Sequence, residues 1–255
     1  TGSELLIREY YWECRVLRSR EFVLTRSSYH SLSYPITRRT MGPSGSVVKF
    51  LRIYSIPSGN TIEAVYIPKE DSELAILYLH GNGGRILTFL PELAKQGTLL
   101  SPAYPEYHQS TGIVSEEKVY ETAEASLNYL RDQGFEDNQI TLVGHSLGGA
   151  PALYLASQYP DLNKVVTLGA FASVYSMCVR SYGPFCIFGR EFFPSTQFAQ
   201  EVTVPTRVYH VKSDATVPVE ESEKLFPLIA SEDKELIILT KGNHSNYDFE
   251  NIPLD

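Results

Sequence analysis

The sequence predicts an α/β fold with a mostly parallel central sheet covered by helices on both faces, and three observations carry the prediction. Short apolar runs recur at residues 74–79, 139–143, 165–168, 206–211 and 236–239. Helix-forming segments lie between many of them, as parallel neighbours require, because a crossover between parallel strands takes about a dozen residues or more. Strands buried on both faces read as continuous apolar runs rather than as alternating ones. Finally, Gly144-His145-Ser146-Leu147-Gly148 joins one run to a helical segment. That pattern belongs to a sharp strand-to-helix turn that lifts one serine to its apex.

The elements follow in order. Residues 4–24 mix aromatics with arginines and read as a short amphipathic helix, and residues 27–46, rich in Ser, Pro, Thr and Gly, read as loop. Residues 1–45 are therefore expected to be an irregular extension, with one domain spanning 46–255. Strand-like segments 47–54 and 61–67 flank a Pro57-Ser58-Gly59-Asn60 turn and predict an antiparallel hairpin. The run 74–79 is the next strand, 85–96 a helix and 98–100 a short strand. Residues 116–131 carry Val119, Ala123, Leu127 and Leu130 on a helical stripe. The strand 139–143 then enters the turn around Ser146, and 149–159 continues as helix, with Pro151 in the first turn where proline is tolerated. Strands at 165–168, 206–211 and 236–239 complete the sheet, with a helix at 220–230. Residues 170–200 form a short cap between the sixth and seventh of these strands.

Composition narrows the functional classes. The chain has 255 residues, 43% of them apolar and 20% charged, and no run approaches the roughly 18 apolar residues of a membrane span. A net charge of −8 argues against nucleic acid as a partner. Arg8, Arg15, Arg18, Arg20, Arg26, Arg38 and Arg39 form a basic stretch. It reads as a solvated face, with peripheral contact to an acidic membrane surface as the other reading. The cysteines are Cys14, Cys178 and Cys186, without metal-ligand spacing. So sparse a set suits a reducing compartment and predicts a cytoplasmic protein, with a Cys178–Cys186 bridge left open.

A serine hydroxyl needs a base to remove its proton, and histidine, held by a carboxylate, suits that role. In open parallel sheets such groups gather at the carboxyl ends of the strands. Asp214 follows the strand ending at Val211, and His244 follows the strand 236–239, so both belong on the rim that carries Ser146. Other candidates fit less well. His145 lies inside the turn, its side chain expected to point away from Ser146; His210 precedes the acid, and His30 falls in the irregular N-terminal region. Glu220 and Glu221 read as first-turn residues of a helix, where carboxylates are favoured. For a developing oxyanion, the expected donors are the backbone N–H groups of Leu147 and Asn82. Asn82 lies within the loop His80-Gly81-Asn82-Gly83-Gly84, and Gly83 is the alternative.

His80-Gly81-Asn82-Gly83-Gly84, Gly144-His145-Ser146-Leu147-Gly148-Gly149, Asp214-Ala215-Thr216-Val217-Pro218 and Gly242-Asn243-His244 together resemble the α/β-hydrolase superfamily over residues 45–250. The resemblance is closest to the single-domain group of monoacylglycerol-lipase-like enzymes and protein-depalmitoylating serine hydrolases. It implies Ser146 as nucleophile, His244 as base and Asp214 as orienting acid, with no metal or organic cofactor. Such enzymes often carry a Gly-Tyr-Gly-like turn after the fourth strand, where this chain has Pro105-Glu106-Tyr107-His108-Gln109-Ser110. Bulky Glu106 and His108 therefore stand on the expected rim. The motif before the acid often begins His-Gly, and here it reads His210-Val211.

The cap holds Phe171, Tyr175, Met177, Phe185, Ile187, Phe188, Phe192, Phe193 and Phe198. An apolar wall of this kind suits an acyl chain, since each buried methylene contributes about 0.8 kcal/mol; packing of the cap onto the sheet explains the same residues equally well. Phe171, Tyr175, Phe188 and His108 are the candidate substrate contacts. The expected function is cleavage of a lipid-like ester or acyl-thioester through an acyl-enzyme, on a small molecule or an acylated protein. A serine peptidase and a catalytically silent binding module on the same fold are the alternatives.

Overall fold

The computed structural model describes residues 36–41, 47–55, 57–83, 86–87, 89–182 and 192–255. Among the described residues nine strands form one sheet in the order β1-β2-β3-β5-β4-β6-β7-β8-β9. They are β1 (Ile36–Met41), β2 (Val47–Tyr54), β3 (Thr61–Ile67), β4 (Ala75–Leu79), β5 (Thr98–Pro102), β6 (Ile140–His145), β7 (Lys164–Leu168), β8 (Thr206–Val211) and β9 (Lys234–Leu239). The first three strands and the β3–β5 pair are antiparallel. From β5 through β4, β6, β7 and β8 to β9 every pairing is parallel. The helices are α1 (Leu90–Gln96), α2 (Glu116–Asp132), α3 (Gly149–Gln158), α4 (Val174–Tyr182), α5 (Ser195–Ala199) and α6 (Val219–Leu225).

Apolar side chains fill both faces of the sheet. One face packs Leu77, Leu79 and Leu142 with Val119, Leu127 and Leu130 of α2 and Leu153 and Leu155 of α3. The other packs Ile76, Tyr78, Val143 and Val166 with Leu90 and Leu93 of α1 and with Tyr247, Phe249, Ile252 and Leu254. The C-terminal segment thus shares this face with α1. Thr141 Oγ1 donates to the Leu254 carbonyl (2.9 Å), and Gln96 exchanges hydrogen bonds with residues 252 and 254. The continuous apolar strands follow from this two-sided burial.

Four local differences from the sequence reading have identifiable causes. Strand β1 lies within the segment read as loop. Its Ile36, Thr37 and Thr40 are β-branched, and as an edge strand carrying Arg38 and Arg39 it needs little apolar alternation. The helix expected from residue 85 begins only at Leu90, after Phe89 at φ 68°, because Pro91 fits only the first turn. The helix expected over 220–230 stops at Leu225 and passes into a 3₁₀ turn, Phe226–Leu228, at Pro227. The described part of the cap contains two helices, α4 and α5, that the periodicity of so short and aromatic a stretch did not declare. The amphipathic segment 4–24 and Phe188 lie outside the described residues.

Cys178 is disulfide-bonded. The other cysteines, Cys14 and Cys186, lie outside the described residues, and with a bridge present the cysteines no longer argue for a reducing compartment. No described helix is long and apolar enough to cross a membrane.

Candidate active site

The elbow forms where β6 ends at His145. Ser146 has φ 53°, a left-handed conformation that costs a non-glycine residue about 1–2 kcal/mol. A 3₁₀ turn, Ser146–Gly148, leads directly into α3. The close approach of turn and sheet explains the glycines. A Cβ on Gly148 would lie 2.0 Å from the Leu79 carbonyl oxygen, and one on Gly144 would lie 2.4 Å from the Gly148 carbonyl oxygen. Ser146 is 8% exposed, at the surface end of an otherwise buried turn.

Asp214 and His244 come together. The turn after β8 closes with the Asp214 N–H donating to the Val211 carbonyl (2.9 Å). The turn after β9 is a tight loop in which Asn243 and Asn246 exchange backbone hydrogen bonds around His244. His244 Nδ1–H then donates to Asp214 Oδ2 at 2.6 Å, which orients the ring. Asp214 Oδ1 accepts from the N–H groups of Thr216 (2.8 Å) and Val217 (2.9 Å). Burial works to raise the Asp214 pKa, but the His244 hydrogen bond and charge, with the two N–H donors, outweigh it and hold the carboxyl below its ordinary value. The acid therefore stays ionised beside the imidazole.

Ser146 lies next in the chain to the residue that meets this pair. The His145 ring lies 4.9 Å from the His244 ring, and its Nε2–H donates to the His244 carbonyl at 2.7 Å. Among the described residues no hydrogen bond joins Ser146 to His244 directly. His145 thus ties the elbow to the histidine loop, a role that its position inside the turn did not suggest. Burial and the neighbouring His244 lower its pKa to about 4, keeping the ring neutral.

His210, set aside as a base, buttresses the acid. Its Nε2–H donates to the Val217 carbonyl (2.8 Å), and its Nδ1 accepts from Ser222 (2.6 Å). Its Nε2 lies 3.7 Å from Asp214 Oδ2. Glu221 also acts locally. Fully in the interior, it accepts from the Ala172 N–H (3.1 Å) and the Ser176 hydroxyl (2.6 Å), and pairs with Lys224 (2.8 Å). It fastens the start of the cap to α6. Only a fold could reveal this, since the spacing from Glu221 to Ser176 carries no sequence signal.

The loop after β4 lies against the elbow. A Cβ on Gly81 would sit 3.1 Å from both His145 Nδ1 and Ser146 Cβ. His80 is fully buried, and burial lowers its pKa to about 4. Its Nδ1–H donates to the Gly81 carbonyl (2.6 Å), and its Nε2 faces the Tyr104 N–H (3.4 Å). The Tyr107 hydroxyl reaches Asn82 O (2.7 Å) and Asn82 Oδ1 (2.8 Å). Glu106 and His108 are exposed, at φ 68° and 51°, a left-handed backbone at both positions. Phe171 lies in the core, Tyr175 is half-buried on α4, and Phe193 and Phe198 pack on Tyr120.

Among the described residues no group of three His, Cys, Asp or Glu side chains is placed to hold a metal ion. An open cavity of about 460 Å³ lined by Leu74, Glu92, Lys95, Phe249 and Ile252 lies at the amino end of β4, away from Ser146. It is a notch between α1 and the C-terminal segment.

Residues 75–182 match the profile of a family described as alpha/beta hydrolase fold. An acetyl xylan esterase from Paenibacillus sp. R4 superposes with a TM-score of 0.67 at 14% identity, covering 87% of this chain and 86% of that one. The Pyrococcus furiosus esterase Pf2001 gives 0.65 at 17% identity, over 81% and 90%. This chain has the α/β-hydrolase fold. In sequence it is similar to the uncharacterized protein YfhR of Salmonella typhi, 22% identical over 88% of this chain and 83% of that protein. In the α/β-hydrolase fold of this chain, the cap lies between β7 and β8, at the carboxyl ends of the parallel strands, and Ser146, Asp214 and His244 stand on the same rim.

Proposed function

We propose that this chain is a serine hydrolase that cleaves a lipid-like carboxylic ester or acyl-thioester through an acyl-enzyme. The observation that carries the reading is the 2.6 Å hydrogen bond between His244 Nδ1 and buried Asp214, on the rim where Ser146 is held in a strained turn. Ser146 Oγ attacks the acyl carbonyl carbon while His244 Nε2 takes its proton, and Asp214 stabilises the resulting imidazolium. The N–H group of Leu147 receives the oxyanion together with that of Asn82, or of Gly83 in its place. His244 then gives the proton to the departing alcohol or thiol, and water repeats the sequence to release the acid.

The solved proteins named above are esterases, which favours ester over amide chemistry. Tyr175 and His108 retain surface for a substrate, and Phe171 and Phe188 belong to the same aromatic segment or its approach. The deep packing of Phe193 leaves the acyl chain to the remaining cap residues.

A fluorophosphonate probe tests the reading. The wild type should be labelled on Ser146, and Ser146→Ala or His244→Ala should abolish labelling. A folded, unlabelled wild type would leave the binding-module reading in possession. A p-nitrophenyl ester series from acetyl to palmitoyl, with matching acyl-thioesters, should show a medium- or long-chain preference. Amide cleavage without ester cleavage would instead make it a peptidase.

A further inference from the structure

The loop that faces the elbow is lightly held. Asn82 is half-buried and Gly83 exposed, so little packing fixes how their peptide planes are turned. Yet the direction of an N–H decides whether it can meet an oxyanion. His80 restrains the Gly81 carbonyl. Beyond that point the restraint comes from across the rim, where the Tyr107 hydroxyl lies within hydrogen-bond distance of both Asn82 O and Asn82 Oδ1.

The consequence is stereochemical. A trans peptide is planar, and its C=O and the following N–H point in opposite directions. Holding the Asn82 carbonyl toward Tyr107 turns the Gly83 N–H away from Tyr107, and holding Oδ1 fixes the Asn82 side chain. Both features bear on the stretch that carries the expected oxyanion donors.

The turn that presents Tyr107 is itself maintained against strain. Glu106 and His108, on either side of it, both have positive φ without being glycine, a conformation that costs about 1–2 kcal/mol per residue. The ends of this turn are fastened to the sheet. Ser110 Oγ donates to the Ala103 carbonyl (2.7 Å) and accepts from the Glu63 N–H (2.9 Å), while the Gln109 N–H donates to Glu63 Oε2 (3.1 Å). The Tyr107 ring packs edge-on to His80 at 5.5 Å. A strained turn anchored at both ends and bonded through its central side chain to an active-site loop has the form of a positioning device.

We infer that Tyr107 is a positioning residue whose hydroxyl, through Asn82, sets the orientation of the Asn82–Gly83 peptide and so of the Gly83 N–H, the alternative oxyanion donor of this loop; this rests on the hydrolase reading above, with Gly83 in that role. Removing the hydroxyl frees the Asn82–Gly83 peptide to rotate and weakens stabilisation of the tetrahedral intermediate, with little effect on substrate binding.

The test compares wild type, Ser146→Ala and Tyr107→Phe on the best p-nitrophenyl ester. Tyr107→Phe should lower kcat by roughly tenfold or more with KM within about twofold, since loss of a whole oxyanion donor costs more than that. Its affinity for a boronic acid that mimics the tetrahedral intermediate should fall in parallel. Replacing Tyr107 by 3-fluorotyrosine, whose phenol ionises at lower pH, should move the alkaline fall of kcat to lower pH. That readout also serves if Tyr107→Phe does not fold. Unchanged kcat in a folded Tyr107→Phe, or an unmoved alkaline limb in the fluorotyrosine protein, overturns the inference. Inactivity of the wild type, matching Ser146→Ala, would instead overturn the hydrolase reading on which it stands.

Discussion

The two sides of the Ser146 rim are built differently. On the acid–base side, both oxygens of Asp214 are bonded, His210 backs it from beneath, and the tight turn around His244 closes on its own backbone. On the other side, residues 104–110 hold Tyr107 between two non-glycine residues in the left-handed region. One side is set by satisfied polar groups and the other by strain that anchoring to β3 offsets. A satisfied network tolerates no loss, because every removed partner strands a buried group. A strained turn can lose side chains and relax. The difference teaches where change is tolerated: at the exposed rim, and not beneath it.

The largest expected effect breaks the satisfied side. Asp214→Asn should reduce kcat on a p-nitrophenyl ester by about 10⁴-fold while keeping the fold, because an amide can hold the wrong tautomer of His244. Activity within tenfold of wild type would remove Asp214 from the mechanism.

Acid should act more gently and on both sides, through His145 against the His244 loop and His80 beneath Tyr107. His80 and His145 are held near pKa 4 against an ordinary 6.5, chiefly by burial. The unfolded chain therefore binds more protons than the native one between those values. The stability that the neutral rings contribute is complete above pH 6.5 and is lost as pH falls toward 4. The full loss is on the order of 3 kcal/mol per ring. The lowered Asp214 carboxyl adds a further loss below its ordinary value of 3.8. Urea midpoints measured from neutral pH downward should fall steadily through this window, and a flat profile would contradict the buried neutral rings.

Cutting the cap fastening tests a neighbouring satisfied group. Glu221→Ala strands the Ala172 N–H and removes the bond that the Ser176 hydroxyl shares with the Ser173 carbonyl, and should cost about 1–3 kcal/mol in chemical denaturation. Loss of less than about 0.5 kcal/mol would mean the cap is held by its aromatic packing alone.

The smallest effect sharpens the comparison from the strained side. Glu106→Gly and His108→Gly relieve a left-handed strain of about 1–2 kcal/mol each but add unfolded-state entropy, so each should stabilise by up to about 1 kcal/mol. A lowered melting temperature in both variants would show that the contacts of the Glu106 and His108 side chains outweigh the strain of their backbone.

Much of this was legible in the residues. The parallel sheet announced itself because two-sided burial demands continuous apolar strands. The elbow glycines are explained by backbone contacts as close as 2.0 Å. Asp214 and His244 could be chosen because each follows a strand end on the expected rim. The boundaries moved where proline intervened, at Pro91 and Pro227, and β1 escaped notice because an exposed edge needs no apolar pattern.

Sequence alone determined the kind of fold, the strands from β2 onward and a short roster of candidate side chains, since each depends on local periodicity or on residues within one turn. Tertiary structure decided which groups support them: His145 on the His244 carbonyl, His210 behind Asp214, Glu221 under the cap and Tyr107 on Asn82. These contacts join segments brought together by the sheet crossovers or by turns. A hydrogen bond depends on distances and angles in space, which the spacing of residues along a chain does not encode.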